Sequence, residues 1–298
     1  MTNAESVKAR LRNLEIKEGG TMQDKLTMYA LERSIYRLSV SKYADRFTLK
    51  GGIFLYALFE RKFARATRDV DLLAQKIPND VEKMEKVFLE IFSIDYDDAL
   101  RYDMDSLKVQ CITEFKEYHG VNVFINTYLN RTRIPVSIDI GFGDVVYPNR
   151  ERMNFPVLLD MEKPKVFVYS IYSVIAEKFE ALTSLGIANS RYKDFYDIYI
   201  LAKRFDMSGL KLKDAIQCTF VRRGTGMNDI VVFQDEFTMD IVRRNRWNAF
   251  VQKKKTMEKI SFEDVIGLLK DLLMPIVDAI QSDADFNKEW SYEEKTWK

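Results

Sequence analysis

Histidine is almost absent from this chain, since His119 is the only one among 298 residues. Catalytic triads built on histidine, and metal sites that need several histidines, are therefore excluded. The two cysteines, Cys111 and Cys218, stand far apart and form no C-x-x-C pair. The sequence thus predicts neither a disulfide framework nor a zinc knuckle. Any chemistry must depend on carboxylates, lysines, arginines and metal ions.

Long apolar runs and an excess of charge are lacking as well. The apolar runs are short and interrupted by charged residues, and the N-terminal residues contain no apolar segment of the signal-peptide kind. We therefore expect a soluble cytoplasmic protein without a membrane span. The formal net charge is only +1, so a nucleic-acid partner would need a local basic patch. With 47% hydrophobic and 13% aromatic residues, the chain can fill one large or two modest cores.

The periodicity of apolar residues divides the chain near residues 165–170, because helical and strand-like segments alternate before this point and helices dominate after it. A Ser-x-x-Asp capping signal opens a helix at 261–280. Residues 147–156 are predicted to be a loop, and the polar residues 283–298 a loosely held tail. The segments predicted for the first part are a helical start (1–45), short strands (46–50 and 68–74), helices (53–60 and 79–93) and an antiparallel meander from about 106 to 142.

Asp69 and Asp71 lie two residues apart in the segment TRDVDL (67–72). Alternate side chains of a strand share a face, so both carboxylates point the same way while Val70 and Leu72 face the core. Like charges this close repel unless a cation lies between them, and Mg²⁺ accepts carboxylates together with phosphate oxygens. For the pair alone, a solvated strand face is the alternative interpretation.

Two further features favour the metal interpretation. Asp139, in SIDIG (137–141), also occupies the polar face of an alternating strand. Three carboxylates on neighbouring strands match two-metal phosphoryl chemistry. Gly51 and Gly52 precede a predicted helix, where the backbone can approach a ligand closely and helix N-terminal amides can bind phosphate. Taken alone, Asp139 would be an ordinary exposed acid and the glycine pair an ordinary turn.

Charged residues interrupt apolar helix faces in the second half of the chain. Lys178 falls at the centre of an apolar stripe, where its ammonium needs an anion. We interpret it as a ligand of a nucleotide phosphate; a surface lysine that extends to solvent is the alternative. Arg191 and Asp194 lie toward the inward side of the next helix, and Asp197 lies further toward its polar side. The pair of Arg191 and Asp194 is either functional or a structural salt bridge.

Three basic stretches lie in the helical half of the chain: VRRGTG (221–226), RRNRW (243–247) and QKKKT (252–256). They contain eight basic residues and occur with Trp247 and Phe250. Local basic charge with aromatic side chains suits an RNA acceptor. A solvated helical surface is the alternative, because acidic residues are interspersed.

Together, LKGG, TRDVDL, SIDIG, IAEKFEAL and RYKDFYDIY resemble the AbiEii/AbiGii toxin family of the DNA polymerase β-like nucleotidyltransferase superfamily, from about residue 25 to 205. The resemblance implies an α+β fold. A nucleotidyltransferase-fold domain with a mixed sheet and flanking helices would occupy residues 1–165. A helical domain, residues 166–298, would contribute to the active site. The implied activity is metal-dependent nucleotidyl transfer by the toxin of a bacterial toxin–antitoxin or abortive phage-infection system.

By position, the resemblance makes Asp69 and Asp71 the metal-binding pair, and Lys178 and Asp194 functional residues of the helical domain. Asp139 is our candidate to complete the metal site and to help deprotonate the acceptor. The predicted catalytic residues are Asp69, Asp71, Asp139, Lys178 and Asp194, the predicted metal ligands are Asp69, Asp71 and Asp139, and the predicted nucleotide contacts are Gly51, Gly52, Lys178 and Arg191.

The implied reaction is an in-line displacement in which two Mg²⁺ ions bind an NTP and activate an acceptor hydroxyl. The implied acceptor is RNA, specifically the 3′ end of tRNA. Transfer to a protein or small molecule, phosphoryl transfer, a GTP-binding toxin and a silent nucleotide-binding module are the alternatives. The resemblance implies a cognate antitoxin, which in related systems often inhibits the toxin without forming a stable complex. Ile53 replaces the Ser or Thr that follows the glycines in many superfamily members, so phosphate binding at this turn would depend on backbone amides.

Overall fold

The computed structural model describes residues 2–62, 67–113, 119–228, 230–253 and 257–298, and the side chains of Thr113 and His119 lie outside this description. The chain forms two compact units. The first comprises Met1–Gly143 and Arg150–Tyr169, and the second comprises Asp144–Asn149 and Ser170–Lys298.

The first unit alternates helices with strands, as the sequence predicts. The predicted helical start is two helices separated at Gly19 and Gly20, both of which have positive φ. In chain order the elements of this unit are α1 (Ala4–Glu18), α2 (Met22–Val40), β1 (Phe47–Lys50), α3 (Gly51–Leu58), β2 (Val70–Ala74), α4 (Val81–Phe92), β3 (Leu100–Thr113), β4 (His119–Leu129), β5 (Thr132–Phe142), β6 (Glu151–Asn154) and β7 (Lys165–Val168).

The strands of the first unit form one mixed sheet in the order β3-β4-β5-β2-β1-β7-β6. The predicted antiparallel meander is confirmed, because β3 pairs with β4 and β4 with β5 in antiparallel fashion. Beyond the meander, β5 runs parallel to β2, and β2 runs antiparallel to β1. β1 is parallel to β7, which pairs antiparallel with β6.

Alternation of apolar and polar residues determines which face of the central strands is buried. Val70 and Leu72 on β2 are 1% and 0% exposed, as predicted, while Asp71 between them is partly exposed. On β5, Ile138 and Ile140 are likewise buried on either side of Asp139. A register slip of one residue would expose these aliphatic side chains, each of which contributes roughly 1.5–3 kcal/mol when buried. The packing of the core therefore holds the aspartates on the opposite face.

The second unit is mostly helical, as expected. The α+β fold class, with a mixed sheet, flanking helices and a helical C-terminal region, is confirmed. No helix in the described part of the chain combines the length and the apolar character needed to span a membrane. The elements are α5 (Ile171–Leu185), α6 (Tyr192–Ala202), β8 (Met207–Ser208), α7 (Gly209–Arg223), α8 (Asp235–Thr238), α9 (Ile241–Gln252), α10 (Phe262–Gln281), β9 (Glu289–Ser291) and β10 (Thr296–Trp297).

Two predictions of irregular structure are wrong. The predicted loop at 147–156 contains β6, which pairs with β7. The predicted loose tail contains β9 and β10, which form a small sheet with β8. Trp290 in this tail is fully buried, and its indole N–H donates to the carbonyl of Ala202 at 2.9 Å. The polar composition of the tail concealed the packing that its tryptophans supply.

Side-chain contacts hold residues 144–149 within the second unit. Arg223 pairs with Asp144 at 3.1 Å. The phenol of Tyr147 donates to the carboxylate of Asp214, and the backbone N–H of Tyr147 donates to the hydroxyl of Ser173 at 2.8 Å. Asp214 keeps the phenol protonated by accepting this hydrogen bond and raises the pKa of Tyr147 to about 12. The segment that follows β5 is thus anchored on helices α5 and α7.

Candidate active site

Gly51, the first residue of α3, lies against the carboxylate of Asp71. Gly51 has a φ of +63°, and a Cβ at this position would lie 1.9 Å from Oδ2 of Asp71. Glycine is therefore required on two grounds, the left-handed backbone conformation and the space. The glycine turn and the D-x-D segment, recognised separately in the sequence, meet in the folded chain.

Asp71 and Asp139 are direct neighbours on adjacent strands. β2 and β5 are parallel with Asp71 opposite Asp139, and the pairing of β1 with β2 places Lys50 opposite Asp71 on the other side. Neighbouring strands lie about 4.8 Å apart, and residues in register point to the same face of a sheet. The two carboxylates therefore project from the same face of the sheet on adjacent strands.

Asp69 precedes β2 by one residue and is partly exposed. The hydroxyl of Thr67 lies 3.2 Å from Oδ1 of Asp69 and can donate to it. Thr67 itself is buried. The loop before the strand thus provides a hydrogen-bond partner for the first carboxylate of the D-x-D pair.

Asn122 on β4 contacts the third carboxylate. Its amide nitrogen lies 2.6 Å from Oδ1 of Asp139 and 2.8 Å from Oγ of Ser137. Asn122 is not among the site residues predicted from the sequence. The available signal was its place on the polar face of an alternating strand, where Val121 and Val123 on either side are fully buried.

The chemistry of these donors suits a magnesium ion. Asp69, Asp71 and Asp139 supply only carboxylate oxygens, the ligands that Mg²⁺ prefers, and the strand register aligns two of them. Among the described residues, no three side chains of histidine, cysteine, aspartate or glutamate lie close enough together to hold a metal ion. The predicted site of three carboxylates therefore stays a prediction that the strand register supports.

Ile53 points into the core of the first unit, where it is fully buried. Its side chain supplies no hydroxyl for a phosphate at this turn. Phosphate contacts at the N-terminus of α3 would therefore come from backbone amides, which the glycines at positions 51 and 52 leave accessible to close approach.

The second unit contains a buried ionic cluster. Nζ of Lys178 on α5 lies 2.7 Å from Oδ1 of Asp194 and 2.7 Å from Oδ2 of Asp197, both on α6. Nε of Arg191 lies 2.6 Å from Oδ2 of Asp194. Both aspartates are fully buried. Burial favours the protonated form of Asp194, but Lys178 and Arg191 outweigh it and hold the pKa of Asp194 below its usual range.

This cluster supplies the anions that an ammonium in an apolar helix face requires. Asp197 is buried against Lys178, so the prediction that it lies toward the polar side of α6 is wrong. Arg191 and Asp194 form the salt bridge that was one of two interpretations. The nucleotide contacts of Lys178 and Arg191, and the catalytic role of Asp194, stay predictions.

Comparison with known families identifies the chain. The family profile described as nucleotidyl transferase AbiEii toxin, type IV TA system, matches residues 33–267. The chain belongs to the AbiEii nucleotidyltransferase toxin family. This match confirms the family resemblance and the enzyme class, and it makes this AbiEii protein the toxin of a type IV toxin–antitoxin system.

Solved structures of similar proteins share little sequence with this AbiEii toxin. A provisionally assigned nucleotidyltransferase from H. pylori is 13% identical, with a TM-score of 0.49 and coverage of 88% of this chain and 98% of that one. JHP933 from Helicobacter pylori is 15% identical, with a TM-score of 0.46 and coverage of 87% and 94%. None of the curated proteins compared matches the sequence.

The basic stretches of the AbiEii toxin are partly engaged in its own structure. The guanidinium of Arg223 contacts three carboxylates, those of Asp144, Glu177 and Glu180. Burial lowers the pKa of Arg223, but these carboxylates outweigh burial and raise the pKa above its usual value. Arg223 thus neutralises buried acids of the second unit.

The aromatic residue of the second basic stretch is also structural. Trp247 is fully buried, and its indole N–H donates to the carbonyl of Ile260 at 2.8 Å. Arg243 donates to the carbonyls of Asn189 and Ile187, and Arg244 pairs with Glu263. Trp247 therefore cannot stack on an RNA base in this structure. Lys254 and Lys255 lie outside the described residues, and the other basic residues of the three stretches, Arg222, Arg246 and Lys253, are exposed.

Proposed function

We propose that this AbiEii toxin transfers a nucleotide from an NTP to the 3′ end of tRNA in a reaction that depends on Mg²⁺. The nucleotidyl transfer part of this proposal rests on membership of the AbiEii family. The register of Asp71 opposite Asp139 on parallel strands, with Gly51 packed against Asp71, supports the metal dependence.

Two metal ions would bind to the carboxylates of Asp69, Asp71 and Asp139. Bound there, divalent cations would supply charge neutralisation for the triphosphate and the leaving pyrophosphate. Backbone amides at the start of α3 would orient the phosphates. Asp139 would accept the proton of the attacking hydroxyl, which needs no histidine.

Lys178 and Arg191 are proposed as further nucleotide contacts, and Lys178 and Asp194 as catalytic residues of the second unit. Lys178 and Arg191 are the cationic groups of the buried cluster, and Lys178 retains 11% exposure of its side chain. An ammonium fixed by two aspartates is pre-organised and cannot swing freely. Binding of a phosphate by Lys178 would therefore occur without a large loss of side-chain entropy.

The acceptor and the setting of the reaction complete the proposal. Exposed Arg222, Arg246 and Lys253 supply positive charge of the kind that an RNA backbone attracts. We place the reaction in the cytoplasm, where NTPs and tRNA occur. The antitoxin implied by the type IV system would act without forming a stable complex with the toxin.

The test is transfer of label from each NTP, α-labelled and γ-labelled in parallel, to total bacterial RNA in the presence of Mg²⁺. Asp71→Asn removes one proposed ligand, and Asp105→Asn on the exposed part of β3 is the matched control. We expect α-label on tRNA-sized RNA with the wild type and the control but not with Asp71→Asn, and no label when EDTA replaces Mg²⁺. Label on protein, or γ-label alone on any acceptor, would refute RNA nucleotidyl transfer.

A further inference from the structure

Asn122 links the polar faces of two neighbouring strands. It lies opposite Asp139 in the antiparallel pairing of β4 with β5. Its amide nitrogen contacts Oδ1 of Asp139 at 2.6 Å and Oγ of Ser137 at 2.8 Å. A carboxylate only accepts hydrogen bonds, so the nitrogen of the amide, and not its oxygen, must face Asp139.

Both hydrogens of the Asn122 amide are used in these contacts. An amide nitrogen has two N–H groups, and one points to the carboxylate while the other points to the hydroxyl. Rotation of the amide would break both hydrogen bonds, and one of them is the stronger, charge-assisted kind. The pair of contacts therefore restricts the orientation of Asn122 and, through it, of the Asp139 carboxylate.

We propose that Asn122 is a positioning residue that orients the carboxylate of Asp139 for metal binding. This inference rests on the proposed function, since it assigns a role at the same site. Neutral hydrogen-bond donors behind a metal ligand hold its orientation without adding charge that competes with the metal. Loss of such a partner typically weakens metal affinity or activity by about 10- to 100-fold.

Asn126 provides a matched control on the same strand. It lies four residues from Asn122, hence on the same face of β4, and is likewise partly exposed. Its neighbour on β5 is Pro135, and its neighbour on β3 is Asp103, which is not a proposed metal ligand. Removal of its side chain changes the surface of β4 to a similar degree without affecting Asp139. If Asn122 served only the structure of β4, neither substitution should change metal binding.

The experiment measures Mn²⁺ binding to the purified full chain by electron paramagnetic resonance, with the Mg²⁺ dependence of nucleotide transfer as a second readout. For Asn122→Ala we expect the Mn²⁺ dissociation constant and the half-maximal Mg²⁺ concentration to rise about tenfold. The transfer rate at saturating Mg²⁺ should fall much less. Asn126→Ala should stay within about twofold of the wild type in both readouts. Asn122→Leu preserves the shape of the side chain without its amide and should behave like Asn122→Ala. It provides the same test if the cavity left by alanine unfolds the protein.

Two outcomes would overturn the inference, and they are distinguishable. If the wild type binds Mn²⁺ and both Asn122 variants bind it equally well, Asn122 does not position the ligand, while the proposed function stands. If the wild type binds no Mn²⁺ with or without NTP, the metal site itself is refuted, and the role of Asn122 with it.

Discussion

Replacement of Gly51 by alanine tests whether the close approach of the glycine turn to Asp71 matters for the reaction. The added Cβ would lie 1.9 Å from Oδ2 of Asp71, about 1.5 Å short of the 3.4 Å at which ordinary contact begins. Either the turn or the carboxylate must move by this distance. A displacement of about 1 Å in a catalytic group can reduce the rate by roughly 100-fold. We therefore expect Gly51→Ala to lose at least about 100-fold in nucleotide transfer.

The backbone conformation contributes separately and has its own control. Alanine at a φ of +63° costs roughly 1–2 kcal/mol, whatever its surroundings. Gly224 has the same φ, and among the described residues no atom outside Gly224 and its two chain neighbours lies within 4 Å of the position of an added Cβ. Gly224→Ala should therefore lose a similar free energy of unfolding and keep its transfer rate within about threefold of the wild type.

The assay pairs initial rates of nucleotide transfer, at a temperature where all variants are folded, with urea unfolding of each variant. A Gly51→Ala variant that transfers nucleotide as fast as Gly224→Ala would refute the reasoning. It would show that Asp71 can be displaced without consequence, and hence that its position against the turn does not serve the reaction.

Two further predictions concern buried charges. Lys178→Met should lower the free energy of unfolding by about 3–5 kcal/mol in urea titrations, because it leaves Asp194 and Asp197 buried without their shared cation. Lys178→Arg should restore most of this loss. Equal stability of the methionine variant and the wild type would contradict the role of the cluster. Burial raises the pKa of Glu32 on α2 to about 8, although Arg33 lies beside it. The ordinary pKa of this carboxyl is 4.5, so between these two pH values Glu32 is protonated in the folded chain and ionised in the unfolded chain. The free energy of unfolding should therefore fall as the pH rises from about 4.5 to about 8, and Glu32→Gln should remove this contribution, whereas unchanged pH dependence in the variant would disprove it.

Several elements of the fold follow from local sequence patterns. The alternation of apolar and polar residues along β5, and around Asp71 at the start of β2, predicts both the strands and the face on which Asp71 and Asp139 lie, because side chains of a strand alternate between its two faces. The capping serine at position 261 predicts the start of α10, where its hydroxyl accepts from the N–H of Asp264.

Other elements are invisible to local patterns because their stability comes from distant partners. The tail at 283–298 is polar in composition, and its packing in the second unit rests on distant partners, such as β8 in the small sheet and Ala202 at Trp290. Asp197 is buried for a similar reason. Its place on α6 alone suggests a solvated side chain, and only Lys178 on another helix makes burial of its charge favourable.

The sequence by itself determined the family, the enzyme class and the residues that are candidates for chemistry, since these depend on residue types and their spacing along the chain. Only the tertiary structure decided how these residues meet. Strand pairing placed Asp71 opposite Asp139, the turn after β1 brought Gly51 against Asp71, and β4 brought Asn122 to Asp139. The physical reason is that pairing register and close approach are set by packing of the whole core, which no segment of the chain contains alone.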